Sequence, residues 1–237
     1  MNYRRRPVYG RYRRSDFLSR LRNMSVVGKL IWFTVAVSVV AFVLFIASPG
    51  SVDYFALKPA NILGGVALWT LIVHMFVHGG FFHLFINMFV LFSLGGLCER
   101  IIGGKRFFWF YILSGLFAGF LSAVLAGLYG FGFWEKVFGN PDVYMVGASG
   151  AIFAIAGLFV VLLPRLRFMI IFLPFFSLPA YLMVPLVLFL TWIASIAGGL
   201  PIGNVAHFGG FLAGLGYGFY LRRKYSRKIN MLQRYFR

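Results

Sequence analysis

The 237-residue sequence predicts an all-α, polytopic membrane protein of six transmembrane helices with a short central fourth helix. Apolar residues make up 61% of the chain and charged residues only 12%, a composition that water-soluble globular proteins do not have. Long apolar runs recur along the chain, and the basic residues lie almost entirely between and outside these runs. Both features are typical of a chain that folds in a lipid bilayer.

Six apolar runs are the candidate spans, because about 20 helical residues cross the roughly 30 Å hydrocarbon core of a bilayer. They lie near residues 30–47, 72–98, 107–128, 149–163, 177–197 and 204–221. The proline-interrupted stretch 168–177 fits either an interfacial segment or the lower part of the fifth helix.

The fourth run is the exception, because it ends at Pro164 and is too short to span the bilayer comfortably. Its helix must begin below the membrane surface, where lipid cannot satisfy the first N–H groups. The sequence therefore predicts an aqueous, protein-lined pocket within the membrane, with Ser149 at its floor.

The basic residues predict the orientation of the chain. With six spans, 21 of the 23 Lys and Arg residues fall on one side, and only Lys58 and Lys136 on the other. The positive-inside rule then places both termini in the cytoplasm of a cell-membrane protein. The predicted organisation is a basic cytoplasmic segment at 1–29, a six-helix domain at 30–221 and a basic cytoplasmic tail at 222–237.

The net charge of +18 does not indicate a nucleic-acid-binding protein, because the basic residues flank apolar tracts and do not form one folded basic face. The Arg-rich, acid-poor N-terminus also fits a mitochondrial presequence, and this alternative stays open.

Ionisable side chains inside membrane spans are costly, so they are the candidate functional residues. The second predicted span contains His74, His78 and His83 together with Asn87, and the sixth contains His207. His83 and Asn87 are four residues apart and therefore share one helix face.

Ser149 is the candidate nucleophile, with Gly147 and Gly150 allowing close backbone approach and access to its hydroxyl. A serine hydroxyl needs a neighbouring base, and histidine is the suitable residue type in these spans. No acidic residue lies in the middle of a span, so a serine hydrolase built on this chain would use a dyad, without the buried aspartate of a triad. Spacing alone does not decide which histidine is the base.

Three motifs resemble those of the rhomboid family of intramembrane serine proteases, in the family's order. The Gly147-Ala148-Ser149-Gly150 segment resembles its GxSG motif. Ala206-His207-Phe208-Gly209-Gly210, continuing to Gly214, resembles AHxxGxxxG. The segment from His78 through His83 to Asn87 resembles HxxxxHxxxN. The similarity covers roughly residues 30–220.

This resemblance implies that Ser149 is the nucleophile and His207 the general base. It implies that His83 and Asn87 donate hydrogen bonds to the oxyanion, together with the Ser149 backbone N–H. Supporting roles fall to His78 as a hydrogen-bond partner, to Phe153 as a ring stacked on the base, to Gly147 and Gly150, and to Gly210 for close approach of the fourth and sixth helices.

The resemblance also implies an active site that opens to the outer face and transmembrane-protein substrates that unwind before cleavage. It implies no metal or nucleotide cofactor, and a lateral gap beside the fifth helix with the loop before Gly199-Leu200-Pro201 as a lid. The sequence departs from the family at Trp69, which Thr70 follows where many members have Trp-Arg. Glu99-Arg100 resembles a structural feature of the family.

Two alternatives remain beside the protease. His74 and His78, four residues apart, could hold a metal or haem on one helix face, although no acid or thiol completes such a site. A rhomboid-like protein could also bind membrane proteins without cleaving them, although such a protein has no need of both Ser149 and His207.

Overall fold

A computed structural model describes residues 23–170, 173–200 and 202–236, and it confirms the all-α, polytopic membrane class. Its main helices are α1 (Val26–Ala47), α2 (Phe81–Ile102), α3 (Gly104–Tyr129), α4 (Ser149–Leu162), α5 (Ala180–Gly198), α6 (Asn204–Lys224) and α7 (Ser226–Tyr235). Within the described residues, α1, α2, α3 and α5 meet the length and hydropathy expected of a membrane span, and α4 is a shorter apolar helix of 14 residues.

Short helical segments fill the two long connections on one side of the bundle. Between α1 and α2 they are Pro49–Ser51, Val52–Phe55, Pro59–Leu63, Thr70–Val73 and His74–Phe76, and between α3 and α4 they are Gly132–Trp134 and Glu135–Phe138. A backbone bridge between Leu57 and Met145 joins the two connections.

The predicted second span was too long at its N-terminal end. The chain is extended at Val77, and α2 begins only at Phe81, after Gly79-Gly80. Consecutive glycines favour a helix break, although apolar residues continue through the segment. Consequently His74 and His78 precede α2, whereas His83 and Asn87 lie on it.

The stretch expected to be an interfacial segment or the lower part of the fifth helix forms an antiparallel β-hairpin, so the helical alternative is wrong. Strand β1 (Arg167–Ile170) pairs with β2 (Leu173–Pro179), with Arg167 opposite Pro179. A short apolar run interrupted by prolines suits an extended chain better than a helix. The hairpin leads directly into α5, which begins at Ala180.

Helix α4 is the centre of the bundle and is enclosed by protein. Eleven of its 14 residues are buried, and it packs most extensively on α6 and then on α3. At 1.5 Å per residue it rises only about 21 Å, less than the hydrocarbon thickness. The helix can be short because neighbouring helices, and not lipid, surround its ends.

Glu99 ties the start of α1 to the end of α2. Its two carboxylate oxygens accept hydrogen bonds from the backbone N–H groups of Val26 and Val27, at 2.9 and 2.8 Å. A carboxylate at a helix N-terminus satisfies unpaired donors and complements the helix dipole. The Glu99-Arg100 feature of the sequence thus supplies, through its acid, a long-range helix cap.

The basic tail expected after residue 221 is largely helical. The α6 helix continues to Lys224, and α7 follows after Tyr225. Ile229 of α7 is buried against the core, and the Gln233 side chain donates a hydrogen bond to the Leu162 carbonyl at the end of α4, at 3.0 Å. The tail therefore packs against the end of the central helix.

Candidate active site

Ser149 and His207 meet at the crossing of α4 and α6. The Nε2 atom of His207 lies 2.8 Å from the Ser149 Oγ, within hydrogen-bond distance. His207 is buried, and its Nδ1 has no hydrogen-bond partner among the described residues. No carboxylate of the described chain orients this ring, so the pair has the composition of a dyad.

The ring of Phe153 holds the imidazole from one side. Its centroid is 4.5 Å from that of His207, and the planes are nearly parallel at 26°. Phe153 lies one turn after Ser149 on α4, so one helix supplies both the hydroxyl and the ring that packs on its partner.

Gly210 makes this short distance possible. A Cβ atom added at Gly210 would overlap the backbone carbonyl of Gly150, and one at Gly214 would overlap that of Ala154. The two backbones are thus in direct contact over one turn, as small residues allow in membrane helices. Any side chain at Gly210 would push α6, and with it His207, away from Ser149.

Gly147 positions the chain just before the serine. Its φ of +128° is a conformation that side chains disfavour, and a Cβ there would lie 2.9 Å from Cε1 of His83 and 3.8 Å from the Ser149 Oγ. The His83 ring therefore lies against Gly147, two residues before the serine, and lines the same cavity as Ser149. Asn87, one turn later, is buried and donates a hydrogen bond to the His83 carbonyl at 2.8 Å.

His78 holds the same loop through a chain of hydrogen bonds. The Ala148 N–H donates to its Nε2 at 3.4 Å, and its Nδ1 lies 3.1 Å from the Ser38 Oγ. The Ser38 hydroxyl donates in turn to the Phe76 carbonyl at 3.1 Å. This pattern requires the proton of a neutral His78 on Nδ1. His78 thus contacts the backbone just before Ser149, and its supporting role stays a prediction.

Sequence reasoning missed Ser38, which is fully buried on α1. The available signal was a hydroxyl residue in an apolar run, four residues after Thr34 on the same helix face. Nothing in the local sequence shows that its partner lies forty residues later in the chain.

The metal or haem alternative required His74 and His78 to share one helix face, and they do not. His74 belongs to the 3-10 turn His74–Phe76, after which the chain is extended. Its Nδ1 lies 2.8 Å from the Thr70 carbonyl, and its own carbonyl accepts a hydrogen bond from the Gly147 N–H at 2.9 Å. His74 therefore also holds the loop before Ser149.

The two long connections brace this loop. Lys58 forms an ion pair with Asp142 at 3.0 Å, and the Tyr144 hydroxyl donates a short hydrogen bond to Asp53. That hydrogen bond raises the pKa of Tyr144 above its ordinary value. Asp142 and Tyr144 lie a few residues before Gly147, so these contacts hold the chain segment that leads into α4.

A cavity of about 1780 Å³ contains the candidate site. Ser149, His207, His83 and Asn87 all line it. The lining also includes Met145 of the connection between α3 and α4, Ile196 near the end of α5, Val90 of α2 and Val187 of α5. The cavity thus lies between α2 and α5 and borders the two long connections. Gly199 and Leu200, which directly follow the expected lid, line the cavity, and Pro201 lies outside the described residues.

Comparison with known proteins supports the relationship that the motifs indicate. The family model described as "Rhomboid domain" matches residues 65–224. The human presenilin-associated rhomboid-like protein, mitochondrial, is 30% identical over 70% of this chain and 40% of its own length. RHOMBOID-like protein 5 of Arabidopsis thaliana is 36% identical over 65% of this chain and 44% of its own. Rhomboid protease GlpG of Salmonella typhi is 26% identical over 62% of this chain and 48% of its own length.

The chain thus spans less than half the length of these curated relatives. The match nevertheless includes α2 to α6 and every predicted site residue. With a family model over more than half of the sequence and four described helices long and apolar enough to span a membrane, the chain belongs to the rhomboid family, which includes intramembrane serine proteases.

Proposed function

We propose that this protein is an intramembrane serine endopeptidase that cleaves peptide bonds in or near transmembrane segments of membrane proteins. The observation that carries the proposal is the 2.8 Å separation of Ser149 Oγ and His207 Nε2 inside a cavity of the helical bundle. A partly buried serine and a buried histidine at this distance have the geometry that nucleophilic catalysis requires.

In the proposed reaction, His207 Nε2 takes the hydroxyl proton as Ser149 Oγ attacks the carbonyl carbon of the substrate. The tetrahedral intermediate collapses when the C–N bond breaks, and the proton on Nε2 goes to the leaving amine. A water molecule, activated by the same Nε2, then hydrolyses the acyl-enzyme and restores the Ser149 hydroxyl. Stacking on Phe153 holds the ring in place where a triad would use a carboxylate.

The developing oxyanion would receive donors from three places. Ser149 is the first residue of α4, where backbone N–H groups lack intrahelical partners. His83 lies against Gly147 and lines the same cavity as Ser149. Asn87 has two amide N–H groups and uses one for the His83 carbonyl, which leaves the second for a ligand in the cavity.

The shape of the cavity supports lateral entry of the substrate between α2 and α5. A transmembrane helix hides its carbonyl groups in its own hydrogen bonds, so the substrate must unwind locally before attack. Substrates with glycine or proline near the cleaved bond meet this need at lower cost.

We propose that both termini face the cytoplasm of a cell membrane and that the active site opens to the outer face. The basic residues of the α2–α3 turn, the hairpin and α7 support this orientation through the positive-inside rule. The human relative is named as mitochondrial, and the presequence alternative falls within residues 1–22, which lie outside the described residues.

Covalent labelling tests the nucleophile directly. We expect a fluorophosphonate probe to label the purified protein in detergent, with the adduct located on Ser149 by mass spectrometry, because His207 activates that hydroxyl. Ser149→Ala should lose all labelling. Ser114→Ala is the matched control, since Ser114 is a buried serine of α3 that bonds its own helix at the Tyr111 carbonyl.

Ser114→Ala should be labelled like the wild type. If the folded wild type resists the probe, or if Ser149→Ala is still labelled, the nucleophile assignment is wrong. The inactive, client-binding alternative would then account better for a wild type that resists the probe.

A further inference from the structure

A second cleft lies outside the active site, where α6 ends and α7 begins. Its lining consists of Phe219, Arg222, Arg223, Ser226 and Asn230, and its volume is about 530 Å³. Tyr225 joins the two helices and turns the chain between them. The cleft belongs to the side of the bundle that carries the end of α4, far from the cavity around Ser149.

Helical spacing brings an apolar ring, two cationic side chains and two neutral polar side chains together in this cleft. Phe219, Arg222 and Arg223 are related by three and four residues and share one face of α6, while Ser226 and Asn230 share one face of α7. Phe219 is half-exposed on the apolar part of α6, and both arginines are exposed. An apolar ring is thus followed by two cations and two neutral hydrogen-bonding side chains.

No carboxylate neutralises the two arginines within the described residues. The described ion pair is Lys58–Asp142, on the opposite side of the bundle, and Glu99 caps α1 with both of its oxygens. The nearby Lys224 donates to the Tyr220 hydroxyl at 2.9 Å. Arg222 and Arg223 therefore present two guanidinium groups that match a phosphate in charge and geometry.

We propose that this cleft binds the headgroup of an anionic phospholipid from the surrounding bilayer. The phosphate would lie between Arg222 and Arg223, with Ser226 and Asn230 as hydrogen-bond donors to its oxygens or to the glycerol, and an acyl chain would pack on Phe219. A soluble phosphate could contact the two arginines but would have no acyl chain to pack on Phe219. The site is independent of the proposed protease activity.

Native mass spectrometry of the full chain in zwitterionic detergent tests the site. We expect the wild type to retain one phosphatidylglycerol molecule in preference to phosphatidylcholine with the same acyl chains. Each cation near a membrane surface contributes about 1 kcal/mol, so Arg222→Gln/Arg223→Gln should weaken phosphatidylglycerol binding roughly 30-fold. Both side chains are exposed, so we expect the variant to fold, with an unchanged melting temperature in lipid-free detergent.

Arg227→Gln/Arg234→Gln is the matched control, because it removes two exposed α7 cations that do not line the cleft. It should bind phosphatidylglycerol within about threefold of the wild type, whereas purely diffuse attraction would weaken both double variants equally. Equal losses in the two variants, or equal retention of the two lipids by the wild type, would overturn the proposal. Competition by soluble glycerol 3-phosphate at the lipid's own concentration would assign the cleft to free phosphates instead.

Discussion

His207→Ala is expected to slow cleavage of a transmembrane substrate by about 10⁴-fold or more, because the serine loses both its base and the acid for the leaving amine. Ser149→Ala should cause a loss of similar size. The two atoms joined at 2.8 Å act in one proton transfer, so the double variant should be no slower than either single variant. Initial cleavage rates of the three variants in detergent test these expectations, and thermal unfolding verifies that each variant is folded.

A double variant much slower than both single variants would contradict a shared step. It would mean that the two residues contribute independently and that another group activates the serine. A His207→Ala rate close to the wild type would likewise exclude His207 as the base, whatever the distance between the two side chains.

Gly210→Ala is expected to damage both stability and activity, although it adds only a methyl group. The new Cβ would overlap the Gly150 carbonyl, so α6 must move away from α4. Overpacking of this kind costs about 1–3 kcal/mol or more, which corresponds to a melting temperature lower by roughly 5 °C. A shift of about 1 Å between His207 and Ser149 can further reduce the rate about 100-fold.

Gly216→Ala provides the matched control on the same helix. Gly216 is exposed, and a Cβ there would meet no atom within 4 Å. The same chemical change should leave the melting temperature within about 2 °C of the wild type and the cleavage rate within about twofold. If Gly210→Ala behaves like Gly216→Ala in thermal unfolding and in cleavage, the close crossing of α4 and α6 does not control the site.

The sequence predicted the membrane class well because hydropathy and charge distribution depend on composition over long windows. The short fourth helix was also predictable, since Pro164 and the glycines around Ser149 limit its length. Its role as the centre of the bundle follows from the same reasoning, because a helix too short to span needs protein at its ends. The division of the chain at residues 29 and 221 stays a prediction, although helix continues on both sides of the second boundary.

Hydropathy did not predict the breaks within apolar stretches. Residues 72–98 are apolar on both sides of Gly79-Gly80, so composition gave no reason to start α2 at Phe81. The hairpin at β1 and β2 was hidden for the same reason, because apolar residues suit either a buried helix or a strand when the run is short. In both places the local backbone preference of glycine or proline decided the outcome.

Contacts distant in sequence were the other limit. The resemblance of motifs, and not residue spacing, brought His207 to Ser149 in the prediction, since the two are 58 residues apart. Ser38 and the caps made by Glu99 and Gln233 involve partners 38 to 73 residues away, and no local pattern in the chain identifies such partners.

Cleavage of a membrane protein in reconstituted liposomes tests the central claim most directly. A single-span substrate with a glycine-rich segment near its outer end would be incubated with the wild type and with Ser149→Ala. The masses of the products would then be measured by mass spectrometry. The proposed function predicts two complementary fragments, whose junction lies in or near the span, from the wild type and intact substrate from Ser149→Ala. Intact substrate from the folded wild type across several such substrates, or the same fragments from Ser149→Ala, would contradict it.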